Sequence, residues 1–326
     1  MRKLTLLTSL VLLVLAAALT ALPAGAKPTG ANGQIAFARF DPALGDTVSY
    51  TINPDGTHEQ QVPTPTVTGE GPRWSPDGTR LVLSCCDLSA YILNPDTGSS
   101  VSLPMTDPDL FTPCGVWSPD GSHLACEAGF IDPSRQGIYT IRSTDGGDLT
   151  QITSNPGGDD SPDSYSPDGK RLAFPRQSPD GSLTLDTVKL DGQGLRQLTP
   201  TGMDIEFGTG AWSPQGNEIL FSARASDGVY RTLWIVHSDG SGLRQLAIGG
   251  CGGPFSDPNG RSCIDPTWSP DGQKIAFSLF DAATGERDIY TVNVDGTGLF
   301  QVTHGDSAVL FEGDEAPNWG THPLAR

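Results

Sequence analysis

The sequence predicts an all-β fold: a six-bladed β-propeller of four-stranded antiparallel blades. Three observations predict it. An aromatic followed by a Ser-Pro turn recurs along the chain, first as "WSPDG" at 74–78. A short apolar run follows each recurrence. Forty Gly and 27 Pro in 326 residues suit short strands and many turns rather than helices.

The anchor aromatics are Trp74, Trp117, Tyr165, Trp212, Trp268 and Trp319, at intervals of 43, 48, 47, 56 and 51 residues. Four open "WSPDG" or "YSPDG", Trp212 opens "WSPQG", and Trp319 opens only "WGTHP". Self-similarity at this period is the mark of a repeat architecture. In each unit the residues leading into the anchor form the innermost strand. The apolar run after the turn forms the second: "RLVLS", "HLACE", "RLAFP", "EILFS", "KIAFS" and, at 34–38, "QIAFA". A third run follows, as in "AYILNPDTG" and "IYTVNVDG", and then a fourth, as in "LTQIT" and "LRQLT". "SPDG" is a type I turn: Ser opens it, Pro fixes φ, Asp takes the third place, and Gly supplies the positive φ that closes it. The aromatic ahead of the turn fills the gap between adjacent sheets, so the motif is architecture rather than a catalytic box.

The chain ends complement each other. The first apolar run lacks its aromatic strand, and the last aromatic strand, "EAPNWG", lacks its followers. Together they make one blade and remove the free edges of an open ring. The propeller is expected over 33–326, behind a short linker at 27–32. Residues 1–26 read as a signal peptide: "MRK", an apolar stretch, and small residues at Ala24 and Ala26. The formal net charge is −18, and −20 without the leader's Arg2 and Lys3. Such a surface disfavours nucleic acid and anionic lipid and suits a basic partner or a cation.

The repeated "WSPDG-x-x-(I/L)-A-F" and the distal "DGxGLRQLT" at 191–199, varied at 239–247 and 295–303, resemble the TolB-type, WD-repeat-like family of six-bladed β-propellers. The resemblance covers about residues 33–326 and implies an exported binding scaffold that is monomeric and acts in the cell wall, periplasm or medium of a bacterium. TolB itself carries a small α/β domain ahead of its propeller, whereas here the repeats begin within ten residues of the expected cleavage site. That departure weakens any inference of a Tol-Pal role.

The tight "SPDG" and "DG" turns fall on one face, and the other two connections of each blade open on the opposite face. Three of the latter, 39–47, 279–288 and 247–266, are expected to be long and irregular. Binding residues concentrate on such loops. Glu70, Asp160, Asp163, Glu206, Asp265 and Glu315 all lie two to six residues before an anchor aromatic, which makes them candidates for an acidic channel mouth on that face. Such a mouth suits the basic tip of a partner protein, or a divalent cation; the sequence calls for no other cofactor. The alternative is that these are ordinary solvated loop acids.

Six cysteines in an exported chain suggest disulfides. Cys251 and Cys263 bracket one long loop and are expected to pair; among Cys85, Cys86, Cys114 and Cys126 the pairing stays open. No paired C-x-x-C supports a metal site. There is no G-x-S-x-G, H-E-x-x-H or P-loop, and His58, His123, His237, His304 and His322 are scattered over different repeats. Three function classes remain: a protein-binding scaffold, which the sequence favours; a carboxylate- or metal-dependent hydrolase or lyase working in the channel; and a gating propeller of the prolyl-oligopeptidase type, whose hydrolase domain this chain has no residues to supply.

Overall fold

A computed structural model describes residues 30–325 except 64–69, 85–89, 105–106, 108–113, 129–131, 209, 225–229, 255–256 and 305–312. The expected signal peptide and Cys85 and Cys86 lie outside the described residues, as does the side chain of Glu70.

Six antiparallel sheets follow one another along the chain. Blade I joins the two ends: Asp314–Trp319 pairs with Ile35–Asp41, which pairs with Asp46–Ile52 and then Gln60–Gln61. Blade II runs Glu70–Trp74, Leu81–Ser84, Ala90–Leu93 and Ser100–Leu103. Blade III runs Cys114–Trp117, His123–Ala128, Gly137–Arg142 and Thr150–Gln151. In blades IV and V the innermost strand is split in two, at 159–160 and 164–165 and at 204–205 and 211–212. Their second strands are Arg171–Gln177 and Glu218–Arg224. Blade VI runs Arg261–Trp268, Lys274–Asp281, Arg287–Asn293 and Phe300–Gln301. Among the described residues the only helix is one 3-10 turn, Pro133–Arg135.

The repeated sequence explains the repeated geometry. In each "SPDG" turn that follows an anchor aromatic the serine is buried and its Oγ donates to the aspartate two residues on while accepting the backbone N–H five residues on, as in Ser75 to Asp77 at 2.6 Å and Arg80 N to Ser75 Oγ at 3.0 Å. Ser118, Ser166 and Ser269 repeat this pattern. Where Gln215 replaces the aspartate, Ser213 Oγ turns to Asn217 Oδ1 instead. The closing glycines sit at positive φ, between 69° and 80° in these five turns, a region that costs any other L-residue strain.

The apolar runs build the walls between blades. Phe37, Phe174, Phe221 and Phe277, at equivalent places in "QIAFA", "RLAFP", "EILFS" and "KIAFS", are fully buried. Two anchor tryptophans reach backward: Trp117 Nε1 donates to the Arg73 carbonyl of blade II, and Trp268 Nε1 to the Ala211 carbonyl of blade V. Trp319 packs with Ile35, Phe37 and Ile52 of blade I and with Ala276, Ile289 and Val302 of blade VI, so the shared blade is welded to the last one. Its Nε1 donates to the Gly33 carbonyl at 2.9 Å. Beyond it the tail stays on the tight-turn face, where His322 stacks on Trp74 and Ala325 N donates to Asn53.

Two cysteine pairs are bonded: Cys251 with Cys263, as expected, and Cys114 with Cys126, which face each other on adjacent strands of blade III. Two of the connections expected to be long are short. The strands extend into 39–47 and 279–288, leaving turns at 42–45 and 282–286, because alternating apolar residues such as Phe37, Val48, Leu279 and Ile289 continue the ladder outward.

Candidate functional site

The inner strands carry a bulge where they cross the middle of the channel. Register shifts fall between Glu70 and Arg73, Cys114 and Val116, and Ile264 and Thr267, and in the pairing of the 314–319 strand. At three of these bulges the backbone enters the left-handed region, at Gly71 (φ 63°), Asp265 (φ 51°) and Ala316 (φ 49°). A bulge re-aims side chains, and here it lets the wall residues converge on the axis.

The result is a channel divided in two. One chamber, about 150 Å³, opens on the tight-turn face; the prolines of four "SPxG" turns, Pro76, Pro119, Pro167 and Pro214, form its rim. The other, about 390 Å³, opens on the opposite face. Arg73, Val116, Gly208, Asp265 and Ala316 belong to both walls and so mark the waist between them. Arg73 is the strut: from blade II it donates to the carbonyls of Asp163 in blade IV (3.3 Å) and Gly208 in blade V (3.1 Å). Burial pulls its guanidinium pKa down, and the charges of Asp163 and Asp265 oppose that pull.

The sequence candidates divide among several places. Glu206, Asp265 and Glu315 line the larger chamber together. Asp163 lies on the other side of the waist, lining the smaller chamber. Asp160 is fully buried in the wall of blade IV, bound by Arg176 at 3.2 Å and Asn155 at 2.9 Å, and lines neither chamber. Glu70 opens the innermost strand of blade II.

The mouth is not a bare acidic ring, because arginines interleave with the acids. Arg287 pairs with Glu315, Arg231 with Asp204 (3.1 Å) and Glu206 (3.5 Å), and Arg39 with Asp314 (2.5 Å) and Glu59 (2.7 Å). Even so, the chamber wall carries four carboxylates, Glu127, Glu206, Asp265 and Glu315, against two guanidiniums, Arg73 and Arg287. Burial pushes Glu127 up to about 7, helped by the charge of Asp159. Burial likewise pushes Glu206 up to about 7, helped by Asp265 and resisted by Arg231. Asp265 is raised by burial against the pull of Arg287.

Sequence reasoning missed Arg73, Glu127 and Arg287. The repeats did carry a signal for the first two. The position before the anchor is Val116, Ser164, Ala211, Thr267 and Asn318 in the other units, none of them charged. The position of Glu127 is Ser84, Pro175, Ser222, Ser278 and Ala38 elsewhere. Departure from the repeat therefore marks the channel.

With the six closed sheets and the divided channel in place, the comparison with known proteins is direct. A family profile described as the TolB beta propeller domain matches residues 31–259. The chain belongs to the TolB β-propeller family. An uncharacterised protein of Agrobacterium fabrum is 30% identical over 220 residues, which span 62% of this chain and 67% of that one. Among solved structures, a TolB homologue from Agrobacterium tumefaciens superposes with a TM-score of 0.64 at 20% identity, over 90% of this chain and 92% of that one. The oligogalacturonate lyase of Vibrio parahaemolyticus superposes with a TM-score of 0.56 at 14% identity, over 84% of this chain and 75% of that one. At such identities these structures share the fold with the TolB-family chain and nothing more is carried across. Among the described residues no three His, Cys, Asp or Glu side chains come together as metal ligands do, and no helix is long and apolar enough to cross a membrane.

Proposed function

We propose that this TolB-family propeller is an exported binding module, and that its larger chamber receives the basic tip of a protein partner of the cell envelope. One observation carries this reading: the open chamber holds more carboxylates than guanidiniums, and burial raises Glu127 and Glu206 to about 7. A cationic side chain entering there adds positive charge beside those carboxylates, so docking and ionisation favour each other. Phe207, 37% exposed beside Glu206, adds an apolar contact at the same wall. The two disulfides accord with an oxidising compartment, and the leader-like residues 1–26 accord with export. The test is capture from envelope extract of the native host with wild-type and Glu206→Lys/Glu315→Lys propellers. Loss of a specific basic protein from the double variant supports the reading; an unchanged set of captured proteins contradicts it.

A second reading is kept by the same carboxylates. Groups titrating near 7 suit general acid–base work, so Glu127 and Glu206 would serve a hydrolase or lyase acting in this chamber. Stoichiometric divalent metal surviving dialysis, or turnover abolished by Glu127→Gln, would favour that reading over the scaffold.

A further inference from the structure

The smaller chamber, on the tight-turn face, has a chemistry of its own. Five aromatics, Trp74, Trp117, Tyr165, Trp212 and Trp268, line it together with six prolines. Among the described residues its charged lining is Arg73, Asp163 and Asp265, so with both acids ionised it carries one excess negative charge. Asp163 is the unusual member. Its side chain is 2% exposed, and its Oδ2 accepts the backbone N–H of Gly210 at 2.6 Å, with the Gly208 N–H leaning on the same carboxylate. Its Oδ1 is buried and has no hydrogen-bond partner. Arg73, the nearest cation, spends its N–H groups on the carbonyls of Asp163 and Gly208 rather than on this oxygen. A buried carboxylate oxygen left without a partner is costly and calls for an explanation.

We propose that this chamber binds an organic ammonium group, with Asp163 as its counter-ion. A hard divalent cation wants six or more oxygen ligands, and aromatic walls do not supply them. A soft, weakly hydrated alkylammonium is attracted by aromatic rings and by one carboxylate together. A volume of about 150 Å³ admits a small amine or the end of a lysine side chain, not a folded partner. The site lies across the Arg73 waist from the chamber assigned to the protein partner and does not depend on that assignment. Backbone geometry fixes it: a Cβ on Gly210 would stand 2.4 Å from Asp163 Oδ2, so the glycine is what lets the carboxylate close against blade V.

The ionised carboxylate is the binding form. Burial raises Asp163 to about 8, against the charge of Arg73, so at pH 6.5 a ligand must first displace a proton. Affinity for a permanent cation therefore rises by roughly tenfold or more between pH 6.5 and pH 9. Arg73 stays a cation and burial raises Tyr165 beyond the phenol range; Asp265, which burial also raises in this chamber, and Glu127, raised to about 7 and acting on Asp163, add their charge in the same direction, so Asp163→Asn is what assigns the change to Asp163.

The experiment is calorimetric titration of the full chain with tetramethylammonium chloride at both pH values, at constant ionic strength. Uncharged tert-butanol serves as the neutral counterpart and Asp163→Asn as the variant. The expected result is saturable binding in the millimolar range or tighter, strengthening with pH, absent for tert-butanol and at least tenfold weaker in Asp163→Asn. A parallel titration with Nα-acetyl-lysine amide separates the sources: binding means the group is read on a peptide as well, and no binding means a free amine. Absence of saturable heat at pH 9, equal binding of tert-butanol, or equal binding by Asp163→Asn overturns the proposal. Should Asp163→Asn fail to fold, the pH and neutral-ligand comparisons on the wild-type chain decide it alone.

Discussion

Replacing Arg73 with leucine removes the strut at the waist and should destabilise the protein in a pH-dependent way. At pH 8.5 and above, Asp163 is largely ionised, and its nearby positive charge is gone in the variant. The two charges are not in contact, because Arg73 bonds the carbonyls instead; its loss lets Asp163 keep its proton to higher pH, and with a folded value of about 8 that adds no more than about 1 kcal/mol at pH 8.5. At pH 6 Asp163 holds a proton, so the loss reduces to two hydrogen bonds to carbonyls, at 3.1 and 3.3 Å, and the packing of the aliphatic stem. Those carbonyls still face water or the channel, so about 1–2 kcal/mol is the expected cost there. The difference between the two pH values, just under about 1 kcal/mol, is the signal. Urea unfolding followed by tryptophan fluorescence at pH 6.0 and 8.5 reads it directly. Equal destabilisation at both pH values would show that Arg73 does not serve the Asp163 and Asp265 charges, and the reasoning about the waist would fail.

Other outcomes follow from the same structure. Trp319→Ala should cost about 3–5 kcal/mol, since the ring is 1% exposed and joins blades I and VI; deletion of residues 312–326 should leave the protein insoluble or readily proteolysed, and a truncated chain with unchanged melting would refute closure. Stability should fall as pH rises from about 4 to 8, because Glu127, Glu206 and Asp163 are raised in the folded state and the stability they contribute is lost between their ordinary values and their folded values near 7 and 8. It should also fall below pH 4: against the upward push of partial burial, hydrogen bonds from Ser75 and Thr79 hold Asp77 below its ordinary value, and Asp120, Asp168 and Asp271 are held likewise. A melting profile across pH 3–9 with no fall on either side contradicts both assignments. Serine at both Cys251 and Cys263 should cost about 2–4 kcal/mol, measured against the unreduced parent in the same urea series.

The fold was legible because each unit repeats its reasons. A Ser-Pro turn with an acceptor at the aspartate, an apolar run of three or four residues and an anchor aromatic recur so regularly that the four-strand blade can be counted from the letters. The shared blade was legible because each end of the chain lacks what the other has. The site was less so. Glu206, Asp265 and Glu315 were placed near the channel by their distance from an anchor, but so was Asp160, which the pairing of 159–160 with 176–177 buries beside Arg176 instead. Distance along the chain does not fix which side of a strand faces the axis once a bulge intervenes. The arginines that brace the mouth come from the start of third strands: Arg231 lies just ahead of Thr232–His237 and Arg287 opens Arg287–Asn293. Arg73 and Glu127 needed a different question, namely where a unit departs from the repeat.

On the proposed function the larger chamber, and not the rim of tight turns, meets the protein partner. Photo-crosslinking in the native host tests it most directly, with a benzophenone amino acid placed at Phe207 beside that chamber or at Gln215 on the opposite face. The expected result is a discrete protein adduct from position 207 that Glu206→Lys suppresses, and none from position 215. Adducts from 215 alone, or the same adduct from both positions, would contradict it.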